Sequence, residues 1–459
     1  MTSPDPPQTP QAASPDPAEL LRSRNYLALL LLGAIAGVPV AAVAFFFLKA
    51  VAEVQQYAFQ TLPGELGYQT APTWWPLPVV ALGGLIVALS IRYLPGTSGH
   101  KPAEGFKTSG PVPPIELPGI VVAAFATLAL GAVLGPEAPL IAIGSGLGVL
   151  AVHLVKRDAP QMAYVVIAVA GSFAAIATLL GSPIAGAFLL MEVAGLGGAL
   201  LGVILVPGLL AAGIGSLIFI GLDSWTGYGT FSLAVPGIPS FGTPTGAEFL
   251  WAIAIGLAAA VLGAAIKRLA LTLQPIVERR PLLLTPLAGL AVGGLAVAFA
   301  EGSDRAASNV LFSGQDALPS LIDQAGTWTV GALALLIVCK GLAYALSLSG
   351  FRGGPTFPGM FIGAAGGIAL SHLPGLSMIA GVAMGIAAMT VAMLGLPLTS
   401  VLITSLFLQA DAVNLMPLVI VAVVVSYVAS ARLVAATAPA GAPAPGSPEA
   451  PTRPERARS

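Results

Sequence analysis

Glu137 stands out among the acidic residues because its neighbours are apolar for many positions on both sides. It lies in a segment rich in glycine and proline, GPEAP at residues 135–139. A carboxylate deep in a bilayer is costly and is a functional candidate by default. Such a group can occupy an anion site and leave it on protonation, as a tethered competitor of the anion. The structural alternative is a glutamate that only offsets the dipole of a helix N-terminus.

A second segment repeats the pattern around Glu137. Residues 135–148 and 354–367 share the pattern GPxxPxxxIGxxxG, and the two copies are offset by 219 residues throughout. A weaker repetition follows, because Gly181 and Gly395 each precede another apolar segment that opens with proline. Corresponding interrupted segments in two halves of a chain are the best sequence pointer to a transporter binding site. Packing motifs and ordinary helix breaks are the alternative interpretation.

Each copy has the composition of a helix start that can hold an anion. Proline suits the first turn of a helix because it has no N–H group to leave unpaired. The free N–H groups and the positive end of the helix dipole then bind negative charge. The GxxxG spacing after each start allows a neighbouring helix to approach closely. We therefore expect the two starts to meet near the bilayer centre around one anion.

Other polar residues interrupt apolar segments and are further candidates. Residues 96–105 are dense in turn residues, and Thr97 or Ser98 can offer a hydroxyl donor there, although an ordinary loop is the simpler interpretation. Glu192 ends an apolar run and suits a buried acid that bonds a loop or a helix end, with direct ion handling as the alternative. Lys340 either supports an anion pathway or extends its ammonium group to an interface.

The elements that would position these residues are membrane helices. Of the 459 residues, 56% are hydrophobic and 8% are charged, whereas soluble domains carry about 25% charged residues. Apolar segments run almost continuously from Tyr26 to Ala436. Several are shorter than the ~20 residues that cross a bilayer. The 55 glycines and 40 prolines predict broken and half-spanning helices, which are tolerated where protein or water bonds the free backbone groups.

Composition and motifs also exclude several classes of protein. No basic stripe suggests a nucleic-acid partner. The apolar segments contain no HExxH, no GxSxG and no paired aspartates, so we expect no enzyme. Cys339 is the only cysteine and the three histidines lie far apart in sequence, so we expect neither a metal site nor a cofactor.

The chain is expected to consist of one membrane domain between two tails. Residues 1–24 and 436–459 are rich in proline, which predicts disordered tails. The membrane domain covers residues 25–435 and is expected to contain two repeats, roughly 25–222 and 245–435. Clusters of basic residues predict, by the positive-inside tendency, that both tails are cytoplasmic. The expected location is the plasma (inner) membrane, which the chain crosses many times.

These motifs resemble the CLC family of chloride channels and chloride/proton antiporters, over roughly residues 26–435. The family's GREGP element resembles residues 135–139, and its GxFxP element resembles residues 354–358. Weaker matches are the GSGIP element with residues 98–102 and the PLAG-to-acidic helix with residues 183–193. The resemblance implies an all-α polytopic membrane protein, with an inverted repeat of about 18 tilted and re-entrant helices, that forms a homodimer with one pore per subunit.

The resemblance also assigns roles to residues. Glu137 matches the gating glutamate, and the backbone N–H groups of Thr356 and Phe357 would line the central anion site with those near Glu137. Ser98 matches the serine of the inner site, and an alignment on the following proline puts Gly99 there instead. The full set of expected anion-binding positions is Ser98, Gly99, Pro136, Ala138, Thr356, Phe357 and Pro358. Val193 falls where antiporters carry an inner proton glutamate and where channel members carry valine.

Departures from the family bear on the mechanism. Pro136 replaces the arginine of GREGP, and the family's inner-gate tyrosine near the last helix has no clear match. With Val193 in place of a carboxylate, we predict a passive channel for chloride or a similar small anion, gated by Glu137. The alternative is a chloride/proton antiporter in which Glu137 is the outer proton carrier. A secondary carrier for another solute is a third candidate.

Overall fold

The computed structural model describes residues 22–106, 110–195, 199–227, 241–408 and 412–435. The two tails expected to be disordered lie outside these residues, apart from residues 22–24, which lead into the first helix.

Helices make up nearly all of the regular structure in the described ranges, which contain no strand and only one isolated β-bridge. The first helix continues through a π-helical segment at Tyr57–Thr61. The fifteen α-helices are α1 (Arg24–Glu65), α2 (Pro76–Tyr93), α3 (Leu117–Ala129), α4 (Glu137–Val155), α5 (Gln161–Leu180), α6 (Pro183–Val193), α7 (Ala199–Thr226), α8 (Gly246–Arg279), α9 (Pro281–Ser303), α10 (Leu318–Asp323), α11 (Val330–Gly350), α12 (Thr356–Leu370), α13 (Met378–Leu394), α14 (Pro397–Leu408) and α15 (Ala412–Ala435).

Nine helices of the described residues are long and apolar enough to cross a membrane: α1, α2, α4, α5, α7, α8, α9, α11 and α15. The remaining apolar helices are shorter. Helix α12 has 15 residues, which corresponds to roughly 22 Å, whereas the hydrocarbon core is about 30 Å thick. The prediction of an all-α polytopic membrane protein with interrupted helices is confirmed.

Close helix packing follows both GPxxP motifs. Helix α4 packs against α5, and helix α12 packs against α13. A side chain on Gly144 would collide with the carbonyl oxygen of Gly171, and one on Gly363 would collide with that of Gly385. Gly144 and Gly363 are corresponding glycines of the two motifs, so the same glycine brings two backbones into contact in each half. The expectation that the GxxxG spacing permits close approach is confirmed at these positions.

Candidate anion site

Helices α4 and α12 begin beside each other, and their leading glycines are hydrogen-bonded. The N–H of Gly135 donates to the carbonyl oxygen of Gly354 at 2.8 Å, and the N–H of Gly354 donates to that of Gly135 at 2.6 Å. The two glycines are corresponding residues of the two motifs. The two hydrogen bonds are therefore related by an approximate local two-fold axis that passes between the glycines.

Hydroxyl groups from the helices before the motifs extend this reciprocity. The N–H of Val133 donates to Ser347 Oγ on α11 at 3.0 Å, and the N–H of Arg352 donates to Thr127 Oγ1 on α3 at 3.2 Å. Each half thus supplies a hydroxyl to the non-helical segment of the other half. A buried N–H without an acceptor costs about 1–3 kcal/mol, so these bonds make non-helical backbone tolerable at the centre of the molecule.

Glu137 is the first residue of α4, and its side chain reaches the start of α12. The residue is 1% exposed, and its Oε1 accepts the backbone N–H of Thr356, the first residue of α12. The carboxylate therefore lies at the positive end of a helix, where anions bind. A side chain on either Gly135 or Gly354 would overlap this carboxyl group. The glycines of both motifs are therefore needed to give Glu137 its space.

Two buried oxygens at this point have no hydrogen-bond partner within the described part of the chain. They are Glu137 Oε2 and Thr356 Oγ1. Buried polar atoms are usually paired, so an unpaired atom calls for a functional explanation. A proton or a water molecule would supply a partner for Glu137 Oε2, and the hydroxyl of Thr356 could donate to an anion or to water.

A tyrosine that the sequence interpretation did not single out holds the start of α12 in place. Tyr344 of α11 is fully buried, and its hydroxyl donates to the carbonyl oxygen of Pro355 at 2.6 Å. Pro355 caps α12 as Pro136 caps α4. Pro136 and Pro358, both expected in the anion site, have no N–H to donate. They can shape the site but cannot hydrogen-bond an anion through the backbone nitrogen.

A cavity of about 500 Å³ approaches this site without including Glu137. Its wall contains Ser98, Gly99, Ala138 and Gly353, but not Glu137, Thr356 or Phe357. The expected anion-binding residues therefore form two groups. Ser98, Gly99 and Ala138 line the cavity, while Glu137, Thr356 and Phe357 are buried at the adjoining helix starts.

Ser98 is buried on a sharp turn and is already hydrogen-bonded. Its φ is 56°, and its Oγ lies 3.0 Å from Ser90 Oγ. Ser90 in turn donates to the carbonyl oxygen of Gly119. Because each hydroxyl has one proton, Ser98 is the donor in the bond to Ser90. An anion that binds the Ser98 hydroxyl would have to replace Ser90 as its acceptor.

Glu192 joins the end of α6 to the start of α14. Its Oε1 accepts the N–H of Leu398 at 3.0 Å, and its Oε2 accepts both the N–H and the hydroxyl of Thr399 at 2.7 Å. The expectation of an acid that bonds a helix end is confirmed, and Glu192 is half-buried there and not fully buried. Val193 is half-buried against the hydrophobic core.

Lys340 does not lie at an interface. It is fully buried, so the interpretation that it extends its ammonium group to an interface is wrong, and support of an anion pathway stays a prediction. Its ammonium group donates to the carbonyl oxygens of four consecutive residues, at 3.0–3.3 Å. These residues are Asn309, Val310, Leu311 and Phe312. Lys340 therefore holds the segment that precedes α10.

Arg352 was missed in the sequence, although it is a lone cation directly before the second GPxxP motif. It is 7% exposed, and it lines the cavity together with Ser98 and Ala138. The available signal was the charge itself, in a stretch where almost every other residue is apolar.

A protein-family comparison decides the identity of this fold. The model described as voltage gated chloride channel matches residues 83–431, which is most of the chain. The chain belongs to this family, the CLC family. It is a multi-pass integral membrane protein of a family whose members are anion channels and transporters rather than enzymes.

Curated relatives and solved structures are similar to this CLC chain along most of its length. An ion-transport protein named YfeO from Salmonella paratyphi A is 31% identical over 354 residues, which cover 76% of this chain and 82% of the relative. A YfeO protein from Escherichia fergusonii is 29% identical over 360 residues, which cover 77% and 81% of the two chains. These relatives are named for ion transport, and their names specify no ion.

The solved structures show the same CLC fold. A slow cyanobacterial Cl⁻/H⁺ antiporter superposes with a TM-score of 0.72 at 20% identity, covering 88% of this chain and 94% of that one. A CLC-type fluoride/proton antiporter gives a TM-score of 0.65 at 21% identity, covering 88% and 95%. At such identity the likeness concerns the fold alone.

Proposed function

We propose that this CLC protein is a passive channel for chloride or a similar small anion, gated by Glu137. The observation that carries the proposal is the hydrogen bond from the N–H of Thr356 to Glu137 Oε1, at the start of α12. A carboxylate in this position mimics a bound anion. When it leaves, the N–H groups of Thr356 and Phe357 become available to the transported ion.

The cavity beside the site supports the same proposal. It reaches Ala138 and Gly353, the residues next to Glu137 and Gly354 in the sequence, and it does not include the carboxylate. The Glu137 carboxylate fills the space beside Gly135 and Gly354 and accepts the N–H of Thr356, as a closed gate would. We expect its movement to connect the cavity with the central positions at Thr356 and Phe357.

Val193 favours the channel over coupled exchange. At the position that resembles the antiporters' inner proton glutamate, the chain has an apolar side chain that packs against the core. The adjacent acid, Glu192, is engaged by three donors of α14. Neither residue offers a free carboxylate for carrying protons from the inner side.

A chloride/proton antiporter is the second candidate. The buried and unpaired Oε2 of Glu137 favours it, because this atom could receive a proton without losing an existing hydrogen bond. Glu137 would then act as the outer proton carrier. Protons would have to reach it by a route other than Val193.

Flux measurements in liposomes distinguish these candidates. With purified protein in vesicles, a chloride gradient is imposed and internal pH is followed together with chloride efflux. The channel predicts chloride efflux without proton movement against a gradient. Proton uptake at a fixed ratio to chloride would establish the antiporter. Transport of another solute, with no chloride flux, would point to the third candidate, a carrier for another solute.

Assembly and orientation belong to the same proposal. We propose a homodimer in the plasma (inner) membrane with both termini cytoplasmic. Size-exclusion chromatography of the detergent-solubilised protein with light scattering measures its molar mass and so tests the dimer. Protease access to each tail in oriented membrane vesicles tests the side on which it lies.

A further inference from the structure

Arg352 is a buried cation in the wall of the cavity, at the boundary with the central site. It is 7% exposed and lies two residues before Gly354, one of the two glycines that make room for the Glu137 carboxylate. Its Nε donates to the carbonyl oxygen of Thr97 at 3.1 Å, in the turn that contains Ser98. The guanidinium therefore links the Ser98 turn to the segment that starts α12.

The donors of this guanidinium are only partly used by the protein. Nε bonds Thr97, and Nη1 bonds the carbonyl oxygen of Phe351 at 3.2 Å. A guanidinium has five N–H groups, so three have no protein acceptor among the described residues. No carboxylate of those residues lies within 4.0 Å of Arg352, since both ion pairs within that limit belong to Lys101.

The nearest carboxylates are engaged by other groups. Glu278 lies 2.8 Å from the ammonium of Lys101, and the amide of Gln274 donates to both Glu104 and Glu278 at 3.0 and 2.9 Å. Glu104 and Glu278 interact with Arg352 only at longer range. Arg352 thus keeps its positive charge and three N–H groups without a protein acceptor, because its potential partners are bound elsewhere. It lines both this cavity and a smaller one of about 210 Å³ that Glu278 also lines.

We propose that Arg352 forms an anion-binding subsite between the Ser98 turn and the Glu137 gate, for the small inorganic anion that the protein transports. This inference rests on the proposed function and names a further position in its pathway. The free N–H groups would hydrogen-bond the anion, and the full charge would favour its transfer out of water. Glu104 and Glu278 offset part of that charge, so the anion can leave again.

Chloride flux as a function of chloride concentration on the cavity side tests the subsite. Arg352→Gln should raise the half-saturating concentration about tenfold, which corresponds to about 1.4 kcal/mol, because it removes the charge and its hydrogen bonds to the anion. The maximal flux should change less. Arg352→Lys retains the charge and should give an intermediate value. Lys156→Gln is the control, because it removes an exposed cation that does not line the cavity and should shift the value by less than about twofold.

Two outcomes of this experiment would overturn the inference. An unchanged half-saturating concentration in Arg352→Gln excludes a bound anion at the guanidinium. An equal effect of Lys156→Gln shows that flux responds to the overall charge of the protein and that Arg352 forms no local site. If wild-type protein carries no chloride at all, the proposed function fails instead.

A crystal of the wild-type protein grown in bromide gives a test that does not depend on flux or on the folding of a variant. Anomalous density within hydrogen-bonding distance of the Arg352 guanidinium supports the subsite. Density beside Thr356 or Ser98 with none at Arg352 contradicts the subsite, while it supports the proposed central anion site.

Discussion

Glu137 and Thr356 are the first residues of two helices from opposite halves of the chain, and a hydrogen bond joins them. The side chain of one helix start thereby neutralises the positive end of the other. Since the pairing uses the backbone N–H of Thr356, it depends on the position of α12 and not on the side chain at 356.

Glu137→Gln should increase anion flux and remove most of its pH dependence. Glutamine retains the size of the carboxylate but not its charge, so it competes poorly with an anion for the N–H of Thr356. We expect flux near neutral pH to rise about tenfold, which corresponds to about 1.4 kcal/mol. Chloride efflux from liposomes over a range of pH measures the effect. Glu301→Gln, which changes an exposed carboxylate, is the control. A wild-type pH response in Glu137→Gln would show that Glu137 is not the gate.

Gly354→Ala should displace the carboxyl group of Glu137. The added methyl group would overlap it, so either the side chain or the backbone must move. We expect increased flux at neutral pH and little further effect when Glu137→Ala is added, because both changes empty the same position. Gly331→Ala, at a glycine with open space around it, is the control. Additive effects of the two changes would contradict the assignment.

Lys340→Met should destabilise the fold by about 3 kcal/mol or more, because it leaves buried carbonyl oxygens without their donor. Thermal unfolding in detergent measures the change, and Arg432→Gln at an exposed position is the control. A melting temperature equal to that of wild type would mean that other donors replace the ammonium group.

Glu192→Ala should loosen the start of α14. The substitution removes acceptors from the N–H groups of Leu398 and Thr399, and lost helix caps cost roughly 0.5–2 kcal/mol. Hydrogen exchange of the α14 amides should therefore be faster, while exchange in α12 stays the same. Glu53→Ala is a control at a glutamate outside these contacts. Faster exchange throughout the protein would indicate global destabilisation in place of a local cap.

The sequence predicts the centre of this fold well because the two halves share a motif. The repeated GPxxP pattern placed Gly135 and Gly354 at corresponding helix starts, and the structure brings them into contact. Glycine spacing likewise predicted the close packing at Gly144 and Gly363. Both features depend on glycine and proline, which in an apolar segment mark either a helix end or a close contact between helices.

The supporting contacts could not be read in the same way. Thr127 and Ser347 bond the backbone of the opposite half across more than two hundred residues. In the sequence they look like ordinary small residues of apolar helices. Lys340 was misinterpreted because its acceptors are backbone carbonyl oxygens, which leave no trace in the pattern of side chains. Arg352 was overlooked because its role depends on a cavity formed by distant segments.

The paired glycines also limit how the protein can move. Separation of the two halves at their centre would break both hydrogen bonds between Gly135 and Gly354. Each N–H or carbonyl group left without a partner and without water would cost about 1–3 kcal/mol. A rocking motion that opens the site alternately to the two sides of the membrane would strain these hydrogen bonds in every transport cycle. Rotation of the Glu137 carboxylate alone leaves these hydrogen bonds intact, so the backbone can stay rigid while the ion pathway opens.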